Sequence, residues 1–481
     1  MTDPNDRYRS PLETRNASVE MQRIWSPRMR IGLWRRIWLA LAESQHEIGL
    51  PVAAAQVQAI GAHLDDIDFA AAAAHEARLR HDVMAHVHAL GDVAPEARPI
   101  IHLGATSQDI VCNADLIVID RSLHLVAEKL AGVIDALGRF AARWRDLPTL
   151  GFTHYQPAQP TTVGRRACMW LQELVLALEE IELRLQRLPL RGLRGATGTQ
   201  ASFLHLCGGD ADRVARLETL FVEKLGWSGR PVLAVSGQTY SRIIDAQVVG
   251  GLAIAAAALH KWCNDLRLLA NLRELEEPLE AEQIGSSAMA YKRNPMRCER
   301  ATGLARFVIA AAQNPLQTAA TQWLERTLDD SSNRRLALPE PFLALDGALD
   351  IMRSVAEGLV VNSAVVEANL ARELPFIATE NLLMAAVERG RDRQQVHEAI
   401  RVQSVAAAAR LKAAGSDGRN DLLERLAGDP NFHGVDLAAA LDPNAFVGLA
   451  REQVDRFLSA TIAPIIERYA GRLPPPPALR V

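Results

Sequence analysis

The chain has 481 residues, of which 49% are hydrophobic, 23% charged and 5% aromatic. Those proportions exclude a wholly disordered, collagenous or membrane-embedded protein, and the length allows about three domains. Lys and Arg number 53 against 57 Asp and Glu, a net charge of −4. Bulk electrostatic binding of nucleic acid is thereby excluded, and any anion site must be a local cluster.

The opening residues M-T-D-P-N-D-R-Y-R-S hold no apolar stretch that reads as a signal peptide. The five cysteines (Cys112, Cys168, Cys207, Cys263, Cys298) are scattered, with no C-x-x-C pair. That pattern argues against a disulfide framework or zinc ribbon and for a cytoplasmic location. In chain order, the first main helices are expected over Trp34–Ile48 and Ala70–Leu90. Next, Leu116, Ile119, Leu123, Val126, Leu130, Val133, Leu137, Phe140, Trp144 and Leu147 alternate spacings of three and four. This heptad seam predicts a helix about 45 Å long, ended by Pro148.

A second long helix is expected from Val163 to about Leu190, and a third from about Thr239 to Glu277. A fourth follows Pro295. Helices of such length need a bundle to support them. The longest apolar run, Val248–Leu259, is shorter than the roughly 20 residues of a membrane span. Its small apolar residues on every face predict packing against further copies of the chain, with a monomeric core helix as the alternative. From about Asn362 onward come shorter helices and loops with Gly415, Gly418, Gly428, Pro430 and Pro443, then a polyproline-like tail. The expected fold is all-α, in three helical domains: 1–106, a central long-helix bundle at 107–361, and 362–481.

Five segments interrupt the helical pattern and are the places to look for function. In I-H-L-G-A-T-S-Q-D (101–109), Thr106 and Ser107 can cap the seam helix or hold an anion at its N-terminus. In G-F-T-H-Y-Q-P-A-Q-P (151–160), two prolines and a glycine bar a helix, and His154 on this stiffened loop is a candidate acid or base near neutral pH. In R-H-D-V-M-A-H-V-H (80–88), one continuous helix would make His81 and His86 diverge and set His88 about 10 Å from His81, so a shared metal ion is not expected. His81 and Asp82 remain as polar groups for a cleft. In I-G-S-S-A-M-A-Y-K-R-N-P-M-R-C-E-R (284–300), glycine and serines permit movement while Lys292 and Asn294 offer donors to an anion. In E-R-T-L-D-D-S-S-N-R-R (325–335), Arg326, Ser331 and Arg335 suit a phosphate, although an exposed charged helix end fits the same residues.

Over nearly its whole length the sequence resembles the adenylosuccinate lyase family of the fumarase/aspartase superfamily. The resemblance rests on G-S-S-A-M-x-Y-K-R-N-P-M, on the two histidine segments, and on T-G-T-Q-A-S-F, G-Q-T-Y-S-R and E-R-T-L-D-D-S-x-N-R-R. It implies a homotetramer with a 20-helix core, active sites shared among subunits, and no metal or organic cofactor. It also implies β-elimination of fumarate from adenylosuccinate and from the succinylcarboxamide intermediate of purine synthesis. By the same resemblance Ser286 is the base, His154 the acid, Lys292 and Asn294 hold the carbanion, and His81 is a second catalytic histidine. Thr106, Ser107, Thr153 and Gln238 match substrate-binding positions; Arg15, Asp82, His102, Arg300, Arg326, Ser331 and Arg335 complete the site, mainly around the nucleotide and its phosphate. Two positions depart from the family's pattern: Ala290 stands where it usually has proline, and Asn16 where it commonly has tyrosine. The alternatives are another fumarate-releasing lyase, such as one cleaving argininosuccinate, and a non-catalytic structural homologue.

Overall fold

A computed structural model of the chain describes residues 4–280, 282–413 and 420–479; Gly415, Gly418 and the last two residues of the tail fall outside them. Ser26 starts the first long helix, Pro27–Glu47, by accepting the Met29 N–H at 3.2 Å. Pro27 sits in the first turn, where its missing N–H is not needed. The helix expected over Ala70–Leu90 is two helices. Phe69–Leu79 ends at Arg80, whose φ of 56° is left-handed, and Asp82–Val93 begins anew. His81 therefore caps a helix: its Nδ1 accepts the Met84 N–H at 3.3 Å. The single-helix geometry assumed for His81, His86 and His88 does not hold.

The heptad seam is one helix, Ser107–Arg143, 37 residues and about 55 Å long. Its seam residues from Leu116 to Phe140 are buried. It stops at Trp144, before Pro148, because the chain turns there into a β-hairpin. Pro148–Thr153 pairs antiparallel with Gln156–Thr162, so the segment expected as an irregular loop is mostly strand. The return helix, Val163–Arg187, then packs antiparallel to the seam helix. At their junction a β-carbon on Gly164 would lie 2.4 Å from the Ala141 carbonyl oxygen, so only glycine permits this approach.

The central helix is Ile243–Asn271, shorter at both ends than its apolar pattern predicts. Tyr240 and Arg242 are drawn into an ion network, and Leu275–Glu276 pairs as a short strand with Val360–Val361. Its 18-residue apolar window, mean hydropathy 1.6, would suffice to cross a bilayer, but 56% of that window is buried inside this fold. Gly251 meets Ile181 and Arg184, while Trp170 Nε1 donates to Asp265 at 2.7 Å, which makes the central and return helices antiparallel. The helix after Pro295 is short, Met296–Ala311, and Pro339–Gly358 completes the bundle. Among the described residues these five helices and the N-terminal part share one core; Thr379–Glu388, Arg393–Ala413 and Leu422–Ala427 form a separate smaller core.

The bundle thus has two ends. One holds Ser107, Arg187 and Ile243; the other holds Arg143, the hairpin and Asn271. The first end is fastened by a buried ion pair, Asp109 with Arg191, in which neither side chain is exposed. Asp109 also accepts the N–H groups of Thr106 (2.8 Å), Arg194 (2.8 Å) and Gly195 (3.1 Å). Arg191 donates onward to the carbonyls of Gly195 (2.9 Å) and Gly237 (3.0 Å). Gln238 N–H then donates to Glu325 O at 3.0 Å. One buried carboxylate thereby ties the start of the seam helix to three separate segments. Asp109→Ala strands the Arg191 charge and should lower unfolding free energy by about 3–5 kcal/mol, read from the urea midpoint. A loss below about 1 kcal/mol would show that the pair is not the fastening.

Candidate active site

At the Asp109 end lies a cavity of about 700 Å³, a volume suited to a small-molecule ligand. His81, Asp82, Thr106, Ser107, Gln238, Arg326, Ser331 and Arg335, eight of the residues singled out from the sequence, all line it. His81 Nδ1 is occupied as a helix cap, so the neutral ring carries its proton on Nε2, 3.4 Å from Ser107 Oγ. Asp82 Oδ2 accepts from Arg335 at 3.1 Å, and Asp82 Oδ1 lies 3.8 Å from His81 Nδ1. The Thr106 side chain makes no cap hydrogen bond, which leaves its hydroxyl to the cavity. Arg326 is half-buried on the cavity wall, with Nη2 3.7 Å from Asp330 Oδ1.

Neighbouring arginines have different jobs. Arg334 is turned inward: it donates to Asp245 at 2.7 Å, to Asp115 at 3.0 Å and to the Tyr240 hydroxyl. Tyr240 in turn donates to Asp245 at 2.6 Å, and Arg242 Nε donates to Asp330 at 2.7 Å. This network locks the helix Asp329–Ala337 onto the seam and central helices, which aims Ser331 and Arg335 at the cavity. Sequence reasoning missed the buried roles of Asp109, Arg191 and Asp245, and also Arg80, Asp115, Arg242 and Arg334, which line the cavity. Charged residues beside turns carry no signal that separates burial from solvation.

The other site residues lie elsewhere on the chain. Thr153 and His154 are at the exposed tip of the hairpin, beyond the far end of the seam helix and so about 55 Å of helix from Ser107. His154 (φ 52°) and Tyr155 (φ 55°) form the two-residue turn in left-handed conformations. Such turns favour Asn-Gly, and non-glycine residues held this way cost about 1–2 kcal/mol each. Strain of this kind concentrates at functional sites. Ser286 follows the far end of the central helix; its Oγ accepts the Met289 N–H at 3.2 Å and the Ala288 N–H at 3.4 Å. Asn294 Nδ2 closes the same loop on Gly285 O at 2.9 Å, while Lys292 is exposed. Arg15 and Arg297 lie close enough to Arg300 to help its burial lower the Arg300 pKa. His102 is neutral at physiological pH, since burial pushes it down to about 4. Its Nδ1 accepts from Trp38 Nε1 at 3.1 Å, so Nε2–H is a neutral donor and not a cation for phosphate. Among the described residues no group of three or more His, Cys, Asp or Glu side chains is placed to hold a metal ion.

An all-α bundle carrying a histidine hairpin and a Gly-Ser-Ser loop is the architecture of the fumarase/aspartase superfamily. Its structural likeness extends to the 3-carboxy-cis,cis-muconate lactonizing enzyme of Pseudomonas putida, at TM-score 0.80 and 26% identity over 94% of this chain and 99% of that one. A fumarate lyase from Mesorhizobium sp. BNC1 shares the fold at TM-score 0.78 and 24% identity, covering 92% and 98%. A family model described as a lyase matches residues 4–310, and one described as the adenylosuccinate lyase C-terminus matches 375–457. The adenylosuccinate lyase of Saccharomyces cerevisiae is 48% identical over 95% of both chains, and that of Schistosoma mansoni 44% identical over 97% of both. The chain belongs to the adenylosuccinate lyase family.

The loop geometry also bears on Ala290. Lys292 N–H donates to Met289 O at 2.9 Å, so Ala290 occupies the second position of a β-turn, where proline is favoured. Its φ is not positive. Ala290→Pro should therefore stabilise the turned loop by about 0.4–1 kcal/mol, seen as slower proteolysis between residues 284 and 296. Faster cleavage would mean that the turn must open through a backbone angle that proline cannot adopt.

Proposed function

We propose that four copies of this chain assemble into a homotetramer whose shared sites eliminate fumarate from adenylosuccinate, leaving AMP. The same elimination is proposed for the succinylcarboxamide intermediate of purine synthesis. The observation that carries the assembly is the length of the helices. His81 and Ser107 stand at one end of the bundle while His154 and Ser286 follow its other end, so rigid rods of about 45–55 Å forbid one chain from closing the site. Five bundle helices from each of four copies make the twenty of the superfamily core. The apolar side chains left exposed on those helices, such as Leu176, Ile254, Leu268 and Phe307, suit that packing.

In this reading the cavity holds the nucleotide, with Arg326, Ser331 and Arg335 as phosphate donors. The Ser286 loop and the His154 hairpin come from neighbouring copies. Ser286 Oγ removes the carbon-bound proton beside the succinyl carboxylate, and the electron pair moves onto that carboxylate. Two backbone N–H donors on Ser286 Oγ favour its alkoxide, and Lys292 and Asn294 offset the charge that develops on the substrate. The pair then returns to form the carbon–carbon double bond, the C–N bond breaks, and His154 delivers a proton to the leaving nitrogen. Fumarate and the amine account for all atoms.

Light scattering should give about four chain masses. His154→Ala and Ser286→Ala should each lower turnover at least about 100-fold without dissociating the assembly. Mixing the two inactive variants under subunit exchange should restore part of the activity. Absence of recovery after verified exchange would place both residues in one chain.

A further inference from the structure

The segment that carries Arg15 is a single turn, Leu12–Asn16, with no buried residue of its own. Its fastening lies just beyond it. Ser18 N–H donates to Asp346 Oδ2 at 2.6 Å, and Ser18 Oγ donates to Asp346 Oδ1 at 3.1 Å. The same hydroxyl accepts the Met21 N–H at 3.2 Å and so starts the helix Val19–Ile24. Asp346 is fully buried on the helix Pro339–Gly358, with Lys129 Nζ at 2.5 Å; that ammonium also reaches Asp350 at 2.8 Å. At the next position, a β-carbon on Gly347 would lie 2.7 Å from the Asn16 carbonyl oxygen. The backbone beside Arg15 is thus laid directly on the helix.

A buried carboxylate and lysine are a poor way to gain stability alone, because desolvation offsets much of their attraction. What this arrangement supplies is position. It sets Arg15 close enough to Arg300 for its charge to add to the burial that lowers the Arg300 pKa, while Arg297 beside them is paired with Glu280 at 2.6 Å. We propose that Asp346 is a positioning residue for catalysis: by holding Ser18 it keeps the Arg15 segment seated on Gly347, so that Arg15 and Arg300 face one anionic group of the substrate. Asp346 touches no substrate and acts through Arg15. The inference rests on the reading of Arg15 as a substrate-binding residue.

Steady-state kinetics on adenylosuccinate tests it, using the assembled enzyme and the variants Asp346→Asn, Asp350→Asn, Arg15→Ala and Asp346→Asn with Arg15→Ala. Asp346→Asn replaces one acceptor by a donor facing Ser18 and should raise KM about 10-fold with kcat nearly unchanged, the effect of losing one charge-assisted hydrogen bond. Asp350→Asn removes the other partner of Lys129 without touching Ser18 and should leave KM as it is. In the Arg15→Ala background, Asp346→Asn should add nothing to KM. An equal further rise in that background, or an equal rise from Asp350→Asn, would overturn the positioning role while leaving Arg15 in the site. An unchanged KM in Arg15→Ala would overturn the reading of Arg15 itself. If Asp346→Asn does not fold, Ser18→Ala, which removes only the hydroxyl bond to Asp346 and the helix cap, must show the same dependence on Arg15.

Discussion

The Asp109–Arg191 pair decides how the cavity end of the molecule is built. Two opposite charges without water interact strongly but are costly to desolvate, so the carboxylate is well placed only where its other lone pairs are also hydrogen-bonded. Asp109 meets that condition by accepting three backbone N–H groups as well as the guanidinium. Those donors come from the start of the seam helix and from the loop after Leu190. The guanidinium spends its own donors on Gly195 and Gly237, which hands the constraint to Gln238 and, through Glu325, to Arg326. Thr106, Ser107, Gln238 and Arg326 are distant in sequence, yet their backbones are referenced to one carboxylate.

The second constraint is rigidity. A helix of 37 residues cannot bring its two flanking segments together. Chemistry that needs both flanks has to borrow one from another molecule. In the proposed tetramer the same length gives the lateral surface over which the copies pack, so catalysis and association would draw on one feature. A shorter bundle would lose both.

Much of this was legible in the sequence where periodicity carried it. Leu116 through Phe140 announced a single long helix because each apolar residue falls on one face. The hairpin at Pro148–Thr162 was not legible: prolines and glutamines mask the alternation of a strand, and its turn is His-Tyr where Asn-Gly would have signalled one. The break at Arg80 had no glycine or proline to mark it. Arg334 and Arg335 are adjacent, chemically identical and both on the cavity wall, but Arg334 is committed to Asp245, Asp115 and Tyr240 while Arg335 reaches across to Asp82. Only three-dimensional neighbours distinguish them. The residues that gather around the cavity were singled out from segments that interrupt the helical pattern and placed in the site by the family resemblance, Gln238 by that alone; the buried charges that aim them carry neither signal.

The central helix has a consequence for synthesis of the chain. It emerges from the ribosome after the seam and return helices, so one of its apolar faces can be covered at once. Its contacts with Met296–Ala311 and Pro339–Gly358 must wait for chain not yet made. During that interval a stretch apolar enough to partition into a bilayer has only part of its shelter. The order of the helices along the chain therefore sets a window of vulnerability to aggregation and mistargeting, which closes only when the fifth helix arrives.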